Sequence, residues 1–204
     1  EDVACSRYSD DCAAHPSAGK TQAQPDKAGA YTWIKAPRYG GAPAEVGPLA
    51  RAMVALGSGD GALKPALEAA LSAADAKAQD LPSVLGRHLA RAVEARLLTE
   101  RMAAWLDELV PDEPAAAALK IPDEGSGAGL VEGPRGALGH WVQIAGGVVS
   151  RYQLVVPTTW NGSPRDAAGT PGPIEQALLG TPVKDRQNAF EVVRIIRSFD
   201  PCLA

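Results

Sequence analysis

The residues of this chain whose chemistry could go beyond packing are three cysteines, three histidines and an arginine set between Pro134 and Gly136. A thiolate is a soft metal ligand and a nucleophile. Cys5, Cys12 and Cys202 are an odd number at wide spacing, which argues against a disulfide framework. They are also too few for an iron-sulfur cluster, which ordinarily takes four. Cys202 follows Asp200-Pro201; taken alone, a single cysteine is more often a small buried hydrophobe than a ligand. His15, His88 and His140 could each serve as a base, yet no Gly-x-Ser-x-Gly elbow offers a serine nucleophile. His88 lies in a helical pattern without a second histidine at helical spacing, and reads as a packed or surface side chain. The glycine cluster Gly125–Gly129 invites a nucleotide reading, but a dinucleotide loop must follow a strand and open a helix. Here a Pro-rich connector precedes the cluster and a strand-like region follows it. Arg135 and Asp200, judged by type alone, would make a surface ion pair worth at most about 1 kcal/mol.

Residues 1–40, in which Asp, Ser, Pro and Gly recur, read as loop. Leu49, Met53 and Leu56 fall at steps of three and four, so the spacing predicts a helix over about 45–56, stopped by Gly57-Ser58-Gly59-Asp60-Gly61. A second helix is expected over about 64–78, with Pro65 in its first turn and Leu67, Leu71 and Ala74 on one face. The strongest periodicity runs from Pro82 to Val110, where Leu85, Leu89, Val93, Leu98, Met102, Trp105 and Leu109 keep a step near 3.6; Met102 and Trp105 read as core. A connector rich in Pro, Ala and Gly should span 111–129. Gly146-Gly147 between Trp141–Ala145 and Val148–Val156 predicts a hairpin. Residues 157–172 read as loop, and helices are expected over 173–179 and 185–198. The expected class is mainly α with a small β-hairpin or sheet region.

With 46% hydrophobic residues, 22% charged residues and a net charge of -4, the 204 residues have an ordinary globular composition. The 20 Lys and Arg are interspersed with 24 Asp and Glu, and no basic run offers a footprint for nucleic acid or anionic lipid. No apolar stretch is long enough for a membrane span. The start, Glu1-Asp2-Val3-Ala4-Cys5, lacks a signal-peptide pattern.

Three ordered segments change the weight given to Cys202. They are Glu132-Gly133-Pro134-Arg135-Gly136-Ala137-Leu138-Gly139-His140-Trp141, Pro157-Thr158-Thr159-Trp160-Asn161, and Arg197-Ser198-Phe199-Asp200-Pro201-Cys202-Leu203-Ala204. In that order they resemble signature segments of nickel-iron hydrogenase large subunits. A fourth, Tyr31–Tyr39 followed by Glu45-Val46-Gly47-Pro48-Leu49-Ala50-Arg51, is similar to the uptake-type, membrane-associated branch of that family. The resemblance covers about 31–204. Upstream, His15-Pro16 and Gly19-x-Thr21 fit, while Cys5, Arg7 and Cys12 depart from the pattern and are assigned no role.

The resemblance implies that residues 1–204 form the C-terminal portion of the large-subunit fold, with its N-terminal half and the last cysteine of a Cys-x-x-Cys pair absent. It implies reversible oxidation of dihydrogen at a nickel-iron centre, with Cys202 ligating nickel and bridging to iron. Iron in this family carries cyanide and carbon monoxide. Thr158 matches the residue that supplies donors to one cyanide, with Pro134 in the same pocket. Arg135 matches the guanidinium over the vacant position between the metals, and Asp200 is the candidate for the carboxylate that holds it. The backbone carbonyl of Ala167 matches a magnesium ligand. The implied partners are an iron-sulfur small subunit that takes the electrons, and maturation proteins. The expected place is the cell membrane, peripheral through partner subunits, with the cytoplasm as the alternative. The 204-residue chain on its own is expected to be inactive. The competing function is a metal-free structural or coupling subunit of a respiratory complex that keeps the fold; Cys202 after Asp200-Pro201 speaks against it.

Overall fold

The computed structural model describes residues 1–59, 61–114, 116 and 118–202. Asp60 of the expected helix stop and Leu203-Ala204 of the last signature segment lie outside them. The first forty residues are irregular, held by short 3-10 turns and isolated bridges such as Asp2 with Ala36 and Ser6 with Thr32.

Helix α1 (Pro48–Ser58) begins with a proline in its first turn, where a missing N–H costs nothing, and Gly59 ends it in the left-handed region. Helix α2 (Leu63–Ala73) stops before the expected Ala78; Asp75, at φ 48°, turns the chain. Helix α3 (Val84–Asp107) is capped by Ser83, whose hydroxyl accepts the Gly86 N–H at 3.0 Å. The three helices enclose the main core of Ala52, Ala66, Leu67, Ala90 and Val93, with Leu49, Leu71 and Leu81 beside it.

The inward face of α3 is made by Gly86, Arg87, Ala90 and Val93. Met102 and Trp105, expected in the core, are 57% and 46% exposed, and Leu85 is 78% exposed. Periodicity marks an apolar face; it does not say that the same chain covers it. Glycine is required at the start of this stripe because the backbones come close: a Cβ on Gly86 would strike the Leu81 carbonyl.

Strands β1 (Glu124–Gly133), β2 (Gly136–Ala145) and β3 (Val148–Val155) form an antiparallel sheet in that order. Gly146 and Gly147, at φ 60° and 72°, make the expected two-residue turn between β2 and β3. The correction is β1. The Gly-rich stretch expected in a connector is a strand, paired from Glu124 with Ala145 to Gly133 with Gly136. Glycine has little strand propensity, so the partner strand, by satisfying its backbone groups, decides the outcome.

Two further expectations shift. Helix α4 (Pro157–Asn161) opens what had read as loop, again from a proline in the first turn. Helix α5 (Pro173–Leu178) lies as expected, while α6 (Phe190–Ser198) starts after a turn in which Asn188 N–H reaches the Asp185 carbonyl. Among the described residues, six α-helices and one three-stranded sheet make the class mainly α with a small β region.

Candidate metal centre

Pro134 and Arg135 are the two residues at the tip of the β1–β2 hairpin, beyond the Gly133–Gly136 pair. The start of α1 backs this tip at backbone contact. Gly136 sits at φ 132° and Gly47 at φ 111°; a Cβ on Gly136 would lie 2.6 Å from the Gly47 nitrogen, and one on Gly47 2.6 Å from the Arg135 carbonyl oxygen. Only glycine meets both demands. Asn161, buried at the end of α4, accepts from Val46 N–H at 2.9 Å and donates to the Val46 carbonyl at 3.0 Å, so hairpin, α1 and α4 share one junction.

The C-terminal segment arrives from the other side. After α6 and Phe199, Asp200 takes φ 54°, a left-handed stop that aspartate tolerates better than most side chains, and Pro201 prevents further helix. Arg135 Nε lies 3.0 Å from Asp200 Oδ2 and also donates to the Asp200 carbonyl at 3.0 Å. Two residues on, the Cys202 N–H donates to Thr158 Oγ1 at 3.0 Å. Residues from three distant segments thus join in one line, Arg135 to Asp200 and, through Pro201, Cys202 to Thr158. Both ends of the Arg135–Asp200 pair are 44% exposed.

The Cys202 thiol is free and exposed, unlike the small buried hydrophobe that a lone cysteine most often is. Cys12 has that character instead: it is fully buried, and its sulfur accepts the Gln22 N–H at 3.3 Å. Ala167 occupies an exposed turn in which the Asp166 carboxylate accepts the Thr170 N–H at 2.8 Å; that backbone bond holds the Asp166 carboxyl below its usual range. No hydrogen bond or ion pair among the described residues links this turn to the Arg135–Asp200 pair.

Among the described residues no group of three His, Cys, Asp or Glu side chains is placed to hold a metal ion. One thiolate is not a nickel donor set. The described residues therefore offer one wall for such a donor set and do not complete it.

Reading the sequence for chemistry overlooked the arginines behind this wall. Arg87 and Arg91 of α3 and Arg51 of α1 all reach toward it, with Glu94 as a further partner. The available signal was the step of four and then three in Arg87, Arg91 and Glu94, which puts three charges on one face of the helix.

The model of the nickel-dependent hydrogenase family matches residues 1–204. The large subunit of the periplasmic [NiFeSe] hydrogenase of Desulfomicrobium baculatum is 41% identical over 193 residues, covering 93% of this chain and 38% of that protein. An uptake hydrogenase large subunit of Afipia carboxidovorans is 40% identical, covering 89% and 33%. The Ni-Fe-Se hydrogenase of Desulfovibrio vulgaris Hildenborough, in its reduced state, superposes with a TM-score of 0.86 at 36% identity, covering all of this chain and 44% of that one. The chain spans about a third of the length of these curated relatives. On the match along its whole length and on this likeness in fold, the chain belongs to the nickel-dependent hydrogenase family, among the large subunits.

Proposed function

We propose that this chain forms one wall of a nickel-iron centre at which the complete protein reversibly oxidises dihydrogen to two protons and two electrons. The observation that carries this reading is the joining of Arg135, Asp200, Cys202 and Thr158 through backbone and side-chain contacts. Nickel and iron, the latter with cyanide and carbon monoxide ligands, would supply the redox chemistry, with Cys202 as the bridging thiolate from this chain.

The other residues have roles their bonding supports. Thr158 Oγ1 accepts the Cys202 N–H, which fixes the approach of that residue and leaves the hydroxyl proton to donate to a cyanide. Pro134 stiffens the hairpin tip, and its place in the same cyanide pocket rests on the family resemblance. Arg135 is held through Nε by Asp200, while its terminal amino groups take no protein partner among the described residues. A fixed planar cation with free donors suits polarising dihydrogen and stabilising a departing proton's counter-charge, because it needs no reorganisation during turnover. Electrons would leave to iron-sulfur clusters in a small subunit, and maturation proteins would install the metals. The Ala167 carbonyl as a magnesium ligand rests on the family resemblance. None of the described helices is long and apolar enough to cross a membrane; the family resemblance is what supports a peripheral place at the membrane through partner subunits.

The test is Arg135→Lys in the complete enzyme. Nickel content should be retained while turnover drops at least about tenfold, because a flexible ammonium cannot replace the fixed fork. Near-normal hydrogen uptake by the metal-replete variant would remove Arg135 from the chemistry.

A further inference from the structure

Two arginine–glutamate pairs lie behind the Arg135–Asp200 pair, and they run in opposite senses across the α1–α3 interface. Arg51 of α1 reaches Glu94 of α3 with Nε and Nη2, both at 2.7 Å. Arg87 of α3 reaches Glu45, just before α1, with Nε and Nη2, both at 2.8 Å. Both are the two-pronged geometry in which a guanidinium is most firmly held.

Each arginine then touches one side of the site. The remaining donors of Arg51 go to Glu132 Oε2 at 2.6 Å, the Gly133 carbonyl at 3.2 Å and the Pro134 carbonyl at 3.1 Å, so all five of its N–H groups have acceptors. Pro134 immediately precedes Arg135. Arg87, 7% exposed, stacks its guanidinium 3.8 Å from the centre of the Phe199 ring, and Phe199 immediately precedes Asp200. One helical turn along α3, Arg91 donates to the Ser198 carbonyl at 2.9 Å. The hairpin tip is therefore hung from α1, and the Asp200 segment from α3.

From this arrangement we infer that Arg51 and Arg87 are positioning residues for the proposed hydrogen chemistry: together they set the distance and angle at which Arg135 meets Asp200. The inference rests on the reading of Arg135 given above. Beyond the seating of Gly136 on Gly47, the tip has little else to hold this register, since Pro134 and Arg135 are both exposed and the Arg135–Asp200 pair is half open to water. A surface ion pair of that kind is too weak to fix its own geometry. Held from behind at two adjacent backbone positions, it need not. The carboxylates around Arg51, Glu94 first, keep its pKa above the ordinary arginine value, so the clamp stays charged throughout the working range of pH.

Arg51→Lys and Arg51→Gln, alone and combined with Arg135→Lys, would be compared in the complete enzyme with its partner subunit. Misplacement of Arg135 should lower kcat about tenfold in Arg51→Gln. KM for dihydrogen and nickel content should stay near normal, and Arg51→Lys should recover only part of the loss. The decisive measurement is the double variant. If Arg51 acts through Arg135, then in the Arg135→Lys background Arg51→Gln should lower kcat by less than twofold, because the geometry it protects has already been lost. Independent, multiplying losses in the double variant would overturn the inference, as would loss of nickel from both Arg51 variants, since either result makes Arg51 a folding or assembly residue. A large effect of Arg135→Lys with none from Arg51→Gln would sink the positioning role and leave the proposed function standing. No effect of Arg135→Lys would remove Arg135 from the chemistry, and the positioning role of Arg51 with it, while leaving hydrogen oxidation itself standing.

Discussion

Between Val84 and Val93, α3 turns Gly86, Arg87, Ala90 and Val93 inward, against α1, α2 and the end of α6, whereas from Leu98 onward its apolar side chains face solvent. Leu98, Met102, Trp105 and Leu106 are 51%, 57%, 46% and 69% exposed. The same helix thus has one half whose surroundings are supplied within the chain and one half whose apolar surface is not used by it. The inner half is also where the polar clamps are, and a groove lined by Leu63, Leu97, Leu98 and Ala104 runs from the outer half to Pro134 and Asp200. Order at the candidate site comes from specific contacts that a substitution can remove. At the outer half there is little within the chain to remove, so the two regions should respond differently to mutation.

The largest effect is expected where backbone meets backbone. Gly136→Ala places a methyl group 2.6 Å from the Gly47 nitrogen and 2.9 Å from the Val46 carbonyl carbon, at a φ of 132° that side chains rarely adopt. Strain and overpacking together should cost about 3 kcal/mol or more. The urea midpoint of the chain should fall accordingly, and the complete enzyme should lose turnover as the tip moves. An unchanged midpoint would mean that the tip is not seated on α1 and that the inner region is as loosely specified as the outer one.

Next comes Asn161→Ala. Asn161 is 4% exposed and serves both the N–H and the carbonyl of Val46, so its loss leaves two backbone groups without partners. A cost of about 2 kcal/mol is expected. Asn161→Asp should restore the acceptor but not the donor, and should fall between the wild type and the alanine variant in the same unfolding experiment.

The main elements of this fold were legible in the sequence where a local rule and the tertiary outcome agree. Pro48 opens α1, the Gly146-Gly147 turn joins β2 to β3, and the period after Pro82 marks α3. They diverged where the deciding partner is distant. β1 is a strand because β2 pairs with it, and no pattern within Gly125–Gly129 announces that. Met102 and Trp105 have the right period for a core and yet lie open, because period carries no information about which chain supplies the cover. The candidate site was legible only through resemblance: Arg135, Thr158 and Cys202 stand far apart in sequence, and residue type alone would make them an ion-pair member, a loop hydroxyl and a small apolar side chain. The clamps escaped notice for a related reason. Arg51 and Arg87 look like ordinary helix-surface charges until the hairpin and the C-terminal segment are laid against them.

A smaller effect, one whose pH dependence is confined to high pH, is expected at Tyr31, which ties the irregular first forty residues to the far end of the chain. Its hydroxyl donates to Glu175 Oε1 at 2.6 Å and accepts the Arg165 N–H at 3.0 Å. Lost hydration, and then the Glu175 carboxylate, push the phenol up to about 12. The folded pKa lies above the unfolded value of about 10, so this contribution is complete below pH 10 and is lost as pH rises from 10 toward 12. The ring is 45% exposed, so solvent screens much of it. Unfolding curves of the wild type and Tyr31→Phe should keep a constant separation below pH 10 and converge above it. A separation that does not change with pH would show that the phenol does not titrate against Glu175.

The smallest effect on stability, and the sharpest test of the contrast between the two halves of α3, is expected from Met102→Glu and Leu106→Glu. Both side chains are more than half exposed, and both lie beyond the core cluster of α1, α2 and α3. Substitutions at such positions usually change stability by no more than about 0.5 kcal/mol, and glutamate is a good helix former, so the unfolding midpoint should barely move. Association should change instead. A contiguous apolar patch of this kind drives self-association when it stays in water, so the 204-residue chain should sediment as larger species that the two glutamates shift toward monomer. Gly86→Ala, at the buried end of the same helix, is the internal control: its Cβ would strike the Leu81 carbonyl, and it should lower the midpoint without relieving association. If Met102→Glu lowered the midpoint as far as Gly86→Ala does, the outer half of α3 would be packed within the chain after all, and the division of this helix into a supported half and an open half would have to be given up.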